Sequence, residues 1–190
     1  MEEGAKEAAL GASGSELIGS AVQNQTAVAT NKESVISLVK GIKAIVGIVL
    51  RDGEGSADAS KTGEDDKKDI GKLFDGTKDE AKEENIAKAA ASIGAVSGAD
   101  MLQAIVKSKE NPSVCDTEGI EKAGDAAEIA VAQAVAGKKE IKEEAKKDAV
   151  IAGGIALRGM AKEGKFSAQN EEKSANAVNG AVASMVNKRF

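Results

Sequence analysis

The sequence predicts an all-α protein, a single domain over residues 1–190 built as a bundle of about seven helices with long exposed loops. Alanine, the strongest helix former, is abundant, whereas aromatic residues make up only 2% of the 190 residues. Strands favour aromatic and β-branched side chains, so this composition argues against a β-sandwich. Two further observations, helix-capping motifs and apolar residues at helical spacing, place the individual helices along the chain.

Helix starts are marked by capping boxes, in which a hydroxyl side chain caps free backbone amides and an acid three residues later returns the interaction. The four boxes pair Ser13 with Glu16, Thr30 with Glu33, Thr77 with Glu80, and Ser97 with Asp100. After the second box, apolar residues follow the i, i+3, i+4, i+7 spacing of an amphipathic helix, which is predicted to end near Arg51. These apolar residues are Val35, Leu38, Val39, Ile42, Ile45, Val46 and Val49.

Two long loops flank the middle helices. Residues 52–69 are rich in Gly, Ser and Asp with almost no large apolar side chain, which predicts an exposed loop. A short turn at residues 73–74 then precedes predicted helices over 78–96 and 97–108. The second loop, residues 109–118, contains the only proline, and the residue before a proline is steered away from helix.

The second half of the chain is predicted to hold three more helices, two of which lie at residues 120–136, closed by Gly137, and at residues 170–188. Between Lys138 and Lys147 the charges alternate in sign. We expect this run to face water, with Glu143 and Lys147 forming an i,i+4 ion pair.

The remaining helix, within Asp148–Gly164, is predicted to be the interior of the bundle, because its apolar residues surround the helix axis. Gly153 and Gly154 each cost about 1 kcal/mol relative to Ala in a helix, so we expect a neighbouring backbone to approach closely there. Arg158, near the end of the buried stretch, needs a carboxylate or carbonyl partner. The aliphatic residues predicted to be substantially buried are Ile151, Ile155 and Leu157.

We predict that the protein is not an enzyme and assign no catalytic, cofactor-binding or metal-binding residue. Histidine, the commonest acid–base catalyst at neutral pH, is absent. The single Cys115 lies beside Asp116, whose charge disfavours a thiolate. We therefore expect Cys115 to be an unreactive loop thiol or a cross-link between chains. No cofactor is predicted.

Three short motifs resemble functional sites, but a solvated surface explains the two acidic ones better, and the third is a tripeptide that arises often by chance. Residues 52–58 have the oxygen spacing of a calcium loop, yet Ala57 replaces the turn glycine and Gly63 replaces the bidentate glutamate. The acidic residues within 65–69 are separated by lysines that offset their charge. The tripeptide Asn24–Thr26 matches a glycosylation acceptor but lies in a predicted helix.

Charge and hydropathy argue against two further kinds of interaction. The net charge is −5, and acids and bases are interleaved, so no basic face suits nucleic acid. The longest apolar run, Val35–Leu50, is interrupted by Lys40 and Lys43 and is shorter than a membrane span.

One stretch of the apolar segment is highly specific in sequence. Ile155-Ala156-Leu157-Arg158-Gly159-Met160-Ala161-Lys162, followed by Gly164-Lys165-Phe166, resembles the constant segment of the borrelial variable large protein family and its Lyme-spirochaete Vls counterpart. Looser similarity extends through residues 40–43, 71–74, 95–98, 104–106 and 176–188. The resemblance therefore covers most of the chain from about residue 31.

This resemblance implies an outer-surface lipoprotein, anchored through a lipidated N-terminal cysteine and replaced by recombination among silent cassettes so that antibodies lose their target. We accordingly expect a role in antigenic variation and immune evasion at the cell outer membrane, with host antibodies as partners and a lipid anchor as the only membrane contact. Residues 52–69 and 109–118 are the expected variable surface. Because the chain has no N-terminal cysteine and stops at Phe190, we expect a trimmed ectodomain.

The alternative function is that of an adhesin or complement-binding protein, with host complement proteins or extracellular matrix glycans as partners. Its cationic surface would be formed by Lys138, Lys139, Lys142 and Lys146. A solvated charged face is the simpler interpretation of this run. The sequence predicts no particular oligomeric state.

Overall fold

The computed structural model describes residues 1–12, 21–77, 81–169 and 172–187, and these residues confirm the all-α class. Eight α-helices lie in the described residues, where about seven were predicted: α1 Glu2–Gly11, α2 Lys32–Val49, α3 Glu64–Ile70, α4 Glu83–Ala95, α5 Gly98–Lys107, α6 Ala126–Val131, α7 Asp148–Met160 and α8 Glu172–Val186. Short 3-10 helices at Gly71–Phe74, Gly119–Lys122 and Glu143–Ala145 connect some of them. Among the same residues no single helix is both long enough and apolar enough to cross a membrane; α4 and α5 pass that test only as a pair bent by 96°.

Helix α7 lies at the centre of the protein and packs against α2, α4, α5, α6 and α8. Of its thirteen residues, all but Met160 are buried. The side chains of Ile151, Ile155 and Leu157 are at most 1% exposed, which confirms the predicted interior helix.

The two glycines of α7 allow α6 to approach closely. A Cβ atom built on Gly154 would lie 2.4 Å from the Ile129 Cγ2 atom, whereas one built on Gly153 would be 3.2 Å from the nearest atom. The predicted close approach is present, but the nearest atoms belong to the Ile129 side chain rather than to a neighbouring backbone.

Arg158 of α7 is fully buried and donates four hydrogen bonds, all to backbone carbonyls. Its partners are Ala130 and Ala132 at 3.0 Å each, Val28 at 2.6 Å and Lys165 at 3.2 Å. The guanidinium carbon also lies 5.1 Å from the ring centroid of Phe74 and 5.7 Å from that of Phe166. Burial lowers the pKa of Arg158 to about 9, which leaves the side chain charged at neutral pH. The predicted carbonyl partners are therefore confirmed.

The predicted helix over residues 120–136 is wrong in extent. A 3-10 helix and the short α6 take its place, and the Asp125 carboxylate caps α6 by accepting a hydrogen bond from the third amide of the helix at 2.9 Å. Helix α6 then ends because the carbonyls of Ala130 and Ala132 are oriented toward Arg158. A longer α-helix would use these carbonyls in its own hydrogen bonds.

Two of the four predicted capping boxes can be compared with the structure in full. The box of Ser97 and Asp100 is confirmed, with both reciprocal hydrogen bonds present at 3.1 and 2.8 Å. The box at Thr30 is wrong, because its hydroxyl donates to the buried Ala130 carbonyl and Asn31 caps α2 instead.

The other two boxes involve residues beyond the described part of the chain. Ser13 and Glu16 lie entirely outside it, as does Glu80, the acid of the Thr77 box. Helix α4 begins at Glu83 rather than near residue 78, and the Asn85 side chain accepts a hydrogen bond from the Lys82 amide at 3.1 Å at its start.

An extended segment over residues 21–31 runs antiparallel to residues 161–169. Val28 and Lys165 exchange two backbone hydrogen bonds of 3.0 Å each, and Gln25 pairs with Ala168. Asn24 lies in an exposed turn at the start of this pairing, with a left-handed φ of 61°, and not in the helix that was predicted around it.

Candidate functional site

The predicted first loop is shorter than residues 52–69, because α3 begins at Glu64. We define loop 1 as residues 51–63 and loop 2 as residues 109–118. Loop 1 is mostly exposed, although Ala57 is buried at 4% exposure. Just after it, Lys67 is also buried, at 1% exposure, with its ammonium group bonded to the Ser60 hydroxyl and to the Glu64 carboxylate. The predicted exposure of residues 52–69 is thus wrong at these two positions.

The first half of loop 1 is attached to the start of α5. The Ser56 amide donates to the Asp100 carboxylate at 2.7 Å, and the Gln103 side chain donates to the Glu54 carbonyl at 3.1 Å. Partial burial acts to raise the pKa of Asp100, but hydrogen bonds from Ser97 and Ser56 outweigh it and the net pKa is lowered. The same carboxylate therefore caps α5 and holds loop 1.

The second half of loop 1 is attached to the start of α7 by the buried carboxylate of Asp148. The amides of Lys61 and Thr62 donate to Oδ2 at 2.5 and 2.8 Å. The hydroxyls of Thr62, at 2.6 Å, and Ser92 donate to Oδ1. Burial acts to raise the pKa of Asp148, but these hydrogen bonds lower it overall, so the carboxylate is ionised at neutral pH. Its charge also suits the N-terminus of a helix.

Loop 2 is attached to the start of α6 in the same way. The Lys109 amide donates to Asp125 at 3.2 Å, and the Ser113 amide donates to Glu128 at 3.4 Å. Glu128 is only 6% exposed and also accepts hydrogen bonds from the Lys109 ammonium, at 2.7 Å, and from the Gly124 amide, at 2.9 Å. Burial acts to raise the pKa of Glu128, but its partners lower it overall.

We call Asp100, Asp125, Glu128 and Asp148 the anchor carboxylates. The loop groups that they hold are mainly backbone amides, those of Ser56, Lys61, Thr62, Lys109 and Ser113. Every residue except proline carries such an amide. The side chains at these loop positions can therefore change without removing the backbone hydrogen bonds.

Sequence reasoning identified only one anchor carboxylate, Asp100, and only as a helix cap. Asp125, Glu128 and Asp148 were not singled out. Each lies immediately before or within the first turn of a helix that follows an irregular segment. An acid at a helix start is the signal that could have suggested them, but sequence does not tell which loop lies within reach.

Cys115 lies in loop 2, half-buried, and its thiol is free within the described part of the protein. Its sulfur is 3.6 Å from the Thr117 hydroxyl and 3.7 Å from the Glu118 carboxylate. Hydrogen bonds from Thr117 and from the backbone of Glu118 lower the pKa of the Cys115 thiol. The direction is opposite to the one expected from neighbouring Asp116.

One aspartate from each acidic motif of the sequence, Asp69 and Asp58, forms ion pairs with lysines. Asp69 contacts Lys72 at 2.9 Å and Lys88 at 2.5 Å, and Asp58, from the calcium-like run, contacts Lys107 and Lys147. Within the described ranges no three His, Cys, Asp or Glu side chains group together in a way that could hold a metal ion.

The charged run Lys138–Lys147 is less open to solvent than predicted, since Ile141 and Ala145 within it are buried. The predicted pair of Glu143 with Lys147 is wrong, because a 3-10 turn replaces the regular helix that the pair requires. The lysines contact other acids: Lys138 with Glu121 at 2.9 Å, Lys142 with Glu144 at 3.1 Å, Lys146 with Glu143 at 2.8 Å, and Lys147 with Asp58.

Known proteins resemble the chain in both sequence and structure. It is 66% identical over 192 residues to variable large protein 4 of Borrelia hermsii, covering 97% of this chain and 53% of that protein. Variable large protein 17 of the same organism is 61% identical over 191 residues, covering 99% of this chain and 54% of the relative. The chain thus spans about half the length of these curated relatives, which are named as variable proteins and not as enzymes.

The structure is similar to the crystal structure of VlsE, the Lyme disease variable surface antigen of Borrelia burgdorferi. The TM-score is 0.79 at 34% sequence identity, and the match covers 98% of this chain and 70% of VlsE. The segment Ile155–Lys162, which carries the sequence resemblance, forms the end of the central helix and the two residues after it. A family model for Borrelia lipoproteins matches residues 1–190, so the chain belongs to the Borrelia lipoprotein family.

Proposed function

We propose that the chain is the surface-exposed part of a lipid-anchored outer-membrane protein that serves antigenic variation and immune evasion. In this proposal a single helical domain over residues 1–190 is a constant scaffold, and loops 1 and 2 present side chains that differ between variants. Host antibodies are the partners. No catalytic residue, cofactor or metal ion takes part.

The observation that carries the proposal is the attachment of both loops through backbone amides to the anchor carboxylates. Substitutions of exposed side chains without such contacts usually change stability by less than about 0.5 kcal/mol. Antibodies, in contrast, contact those same exposed side chains. A protein built in this way can lose an epitope and keep its fold.

The relatives support the same function. Their names describe variable large proteins and a variable surface antigen, and the family is one of lipoproteins. Antigenic variation and a lipid anchor are properties of whole proteins about twice as long as this chain, and we extend them to the chain as part of the proposal.

The experiment is a loop replacement that preserves the backbone. The exposed side chains of loops 1 and 2 are exchanged for others, without introducing proline and with Gly53 and Gly55 retained, because both have φ near +78°. A matched control exchanges the same number of exposed side chains on α1. Serum raised against the parent chain should bind the loop variant at least tenfold more weakly than it binds the control, and both should melt within about 3 °C of the parent. Equal serum binding to the loop variant and to the α1 control would refute the proposal.

The alternative, an adhesin or complement-binding protein, has weaker support in the geometry. Three of the four lysines that sequence analysis selected, Lys138, Lys142 and Lys146, contact glutamates within 3.1 Å, which reduces the cationic field that an acidic ligand would meet. Solid-phase binding to complement proteins and sulfated glycans at rising salt tests it. Binding that weakens steeply with salt would support the alternative.

A further inference from the structure

Loop 1 is not an isolated feature of the surface but lies along one face of α5. Its contacts reach three residues of that helix spaced i, i+3, i+7, namely Asp100, Gln103 and Lys107. These positions are neighbours on a single helix face. The loop and the helix face therefore form one continuous surface.

Asp58 joins this surface to a third segment of the chain. Its carboxylate contacts Lys107 at 3.3 Å, at the end of α5, and Lys147, just before α7. The three side chains remain accessible, with exposed fractions of 58%, 63% and 39% for Asp58, Lys107 and Lys147. Segments that are 49 and 89 residues apart in sequence thus meet at one exposed cluster.

Loop 2 begins directly beside this cluster, because Lys107 is the last residue of α5. The exposed Lys109 lies two residues further on, and its amide is held by Asp125. The cluster around Asp58 is therefore at the junction of the two loops that the proposed function treats as the variable surface.

Loop 1 is smaller than the surface that an antibody contacts. An antibody footprint typically covers about 800 Å² and about 20–30 residues on its antigen. Loop 1 has only thirteen residues, and one of them, Ala57, is buried. A footprint centred on loop 1 must include the neighbouring face of α5 and the residues before α7. The exposed groups of the cluster are charged side chains, and antibody–antigen interfaces are more polar and wetter than enzyme–inhibitor interfaces.

We infer that loop 1, the partly exposed face of α5 that it contacts and Lys147 form one discontinuous epitope centred on the Asp58 cluster, which is recognised by antibodies only in the folded protein. The inference rests on the proposed function, since it names the surface that the antibodies contact. It implies that antibodies that require Asp58 of loop 1 also lose binding when Lys107 of α5 or Lys147 before α7 is changed.

The test uses monoclonal antibodies raised against the folded chain, selected for at least tenfold weaker binding to Asp58→Ala. Binding is then measured to Lys107→Ala, to Lys147→Ala, and to a synthetic peptide of residues 51–63. Lys6→Ala is the matched control, because Lys6 is an exposed lysine that pairs with Glu2 on α1. We expect at least a tenfold loss for Lys107→Ala or Lys147→Ala, no loss for Lys6→Ala, and at least hundredfold weaker binding to the peptide.

A charge-swapped variant, Asp58→Lys with Lys107→Glu and Lys147→Glu, separates recognition from loop folding. It restores the ion pairs with opposite signs, so the melting temperature should return toward that of the parent while antibody binding stays lost. Full binding to the peptide, or insensitivity to both lysine substitutions, overturns the discontinuous epitope but leaves the proposed function intact. If some antibodies are sensitive to other loop 1 changes but none is sensitive to Asp58→Ala, the discontinuous epitope is also overturned. If no antibody or serum is sensitive to any loop change, the proposed function fails as well.

Discussion

Replacement of Asp148 by alanine should detach the second half of loop 1 from the scaffold. Four donors lose their acceptor: the amides of Lys61 and Thr62, and the hydroxyls of Thr62 and Ser92. Hydrogen bonds to a charged group contribute about 1.5–3 kcal/mol each, but the two amides regain water because Lys61 is exposed and Thr62 is half-buried. The Ser92 hydroxyl is fully buried and cannot do so.

We therefore expect Asp148→Ala to lower the free energy of unfolding by about 4 kcal/mol. In a protein of this size about 1 kcal/mol corresponds to about 2–4 °C, so the melting temperature should fall by about 10 °C. Circular dichroism measures that shift, and hydrogen exchange locates its cause. The amides of Lys61 and Thr62 should exchange at least tenfold faster, while the Ser56 amide, held by Asp100, keeps its protection.

Asp52→Ala is the control, since it removes an exposed carboxylate from the same loop. It should change the melting temperature by less than about 2 °C. If Asp148→Ala behaved like this control and left the exchange of both amides unchanged, the role assigned to the anchor carboxylates would be wrong.

Three other predictions concern the scaffold and its dependence on pH. Gly154→Ala should destabilise the protein by about 1–3 kcal/mol, because the new methyl group meets Ile129, whereas Gly153→Ala should be close to neutral. Both variants gain the same helix propensity, so thermal melts compare their packing directly, and equal shifts in melting temperature would contradict the packing argument. Arg158→Lys should lower the free energy of unfolding in urea by at least about 3 kcal/mol, since an ammonium group cannot satisfy four carbonyls in the geometry of the planar guanidinium. A decrease below about 1 kcal/mol would show that these hydrogen bonds contribute little. Because the pKa of Asp148 is lowered in the folded protein, its contribution to stability is present above its unfolded pKa near 3.8 and is lost as the pH falls through the lower folded pKa. As the pH is lowered from 6 to 2, the urea midpoint of Asp148→Asn should therefore fall less steeply than that of the parent. Parallel curves would contradict the assignment.

The local pattern of the sequence was sufficient for the main helices. The apolar stripe from Val35 to Val49 predicted α2, and the all-round apolar pattern after Asp148 predicted that α7 is interior. Both predictions rest on side-chain spacing within one helix, which is a local property. The family resemblance came from the same helix, and the comparisons confirm it.

Predictions failed where a residue has a partner far away in sequence. Thr30 reads as a helix cap, but its hydroxyl bonds to a carbonyl one hundred residues later. The alanine-rich run after residue 120 reads as a long helix, but its carbonyls are used by Arg158. In each case a tertiary hydrogen bond to a buried group outweighs a local preference worth about 1 kcal/mol or less.

The two loops also have some features that local sequence predicts and others that depend on distant partners. Sequence by itself predicted exposed loops at residues 52–69 and 109–118, because segments with few large apolar side chains and with turn-forming residues gain little from burial. The structure keeps the first loop only as far as residue 63, since α3 begins at Glu64. Only the tertiary structure decided how the loops are held, since the anchor carboxylates come from the starts of α5, α6 and α7. A carboxylate at a helix start looks the same in sequence whether it caps its own helix or binds the backbone of a loop 87 residues away, as Asp148 does with Lys61. That choice depends on which segments the packed core brings within hydrogen-bond distance.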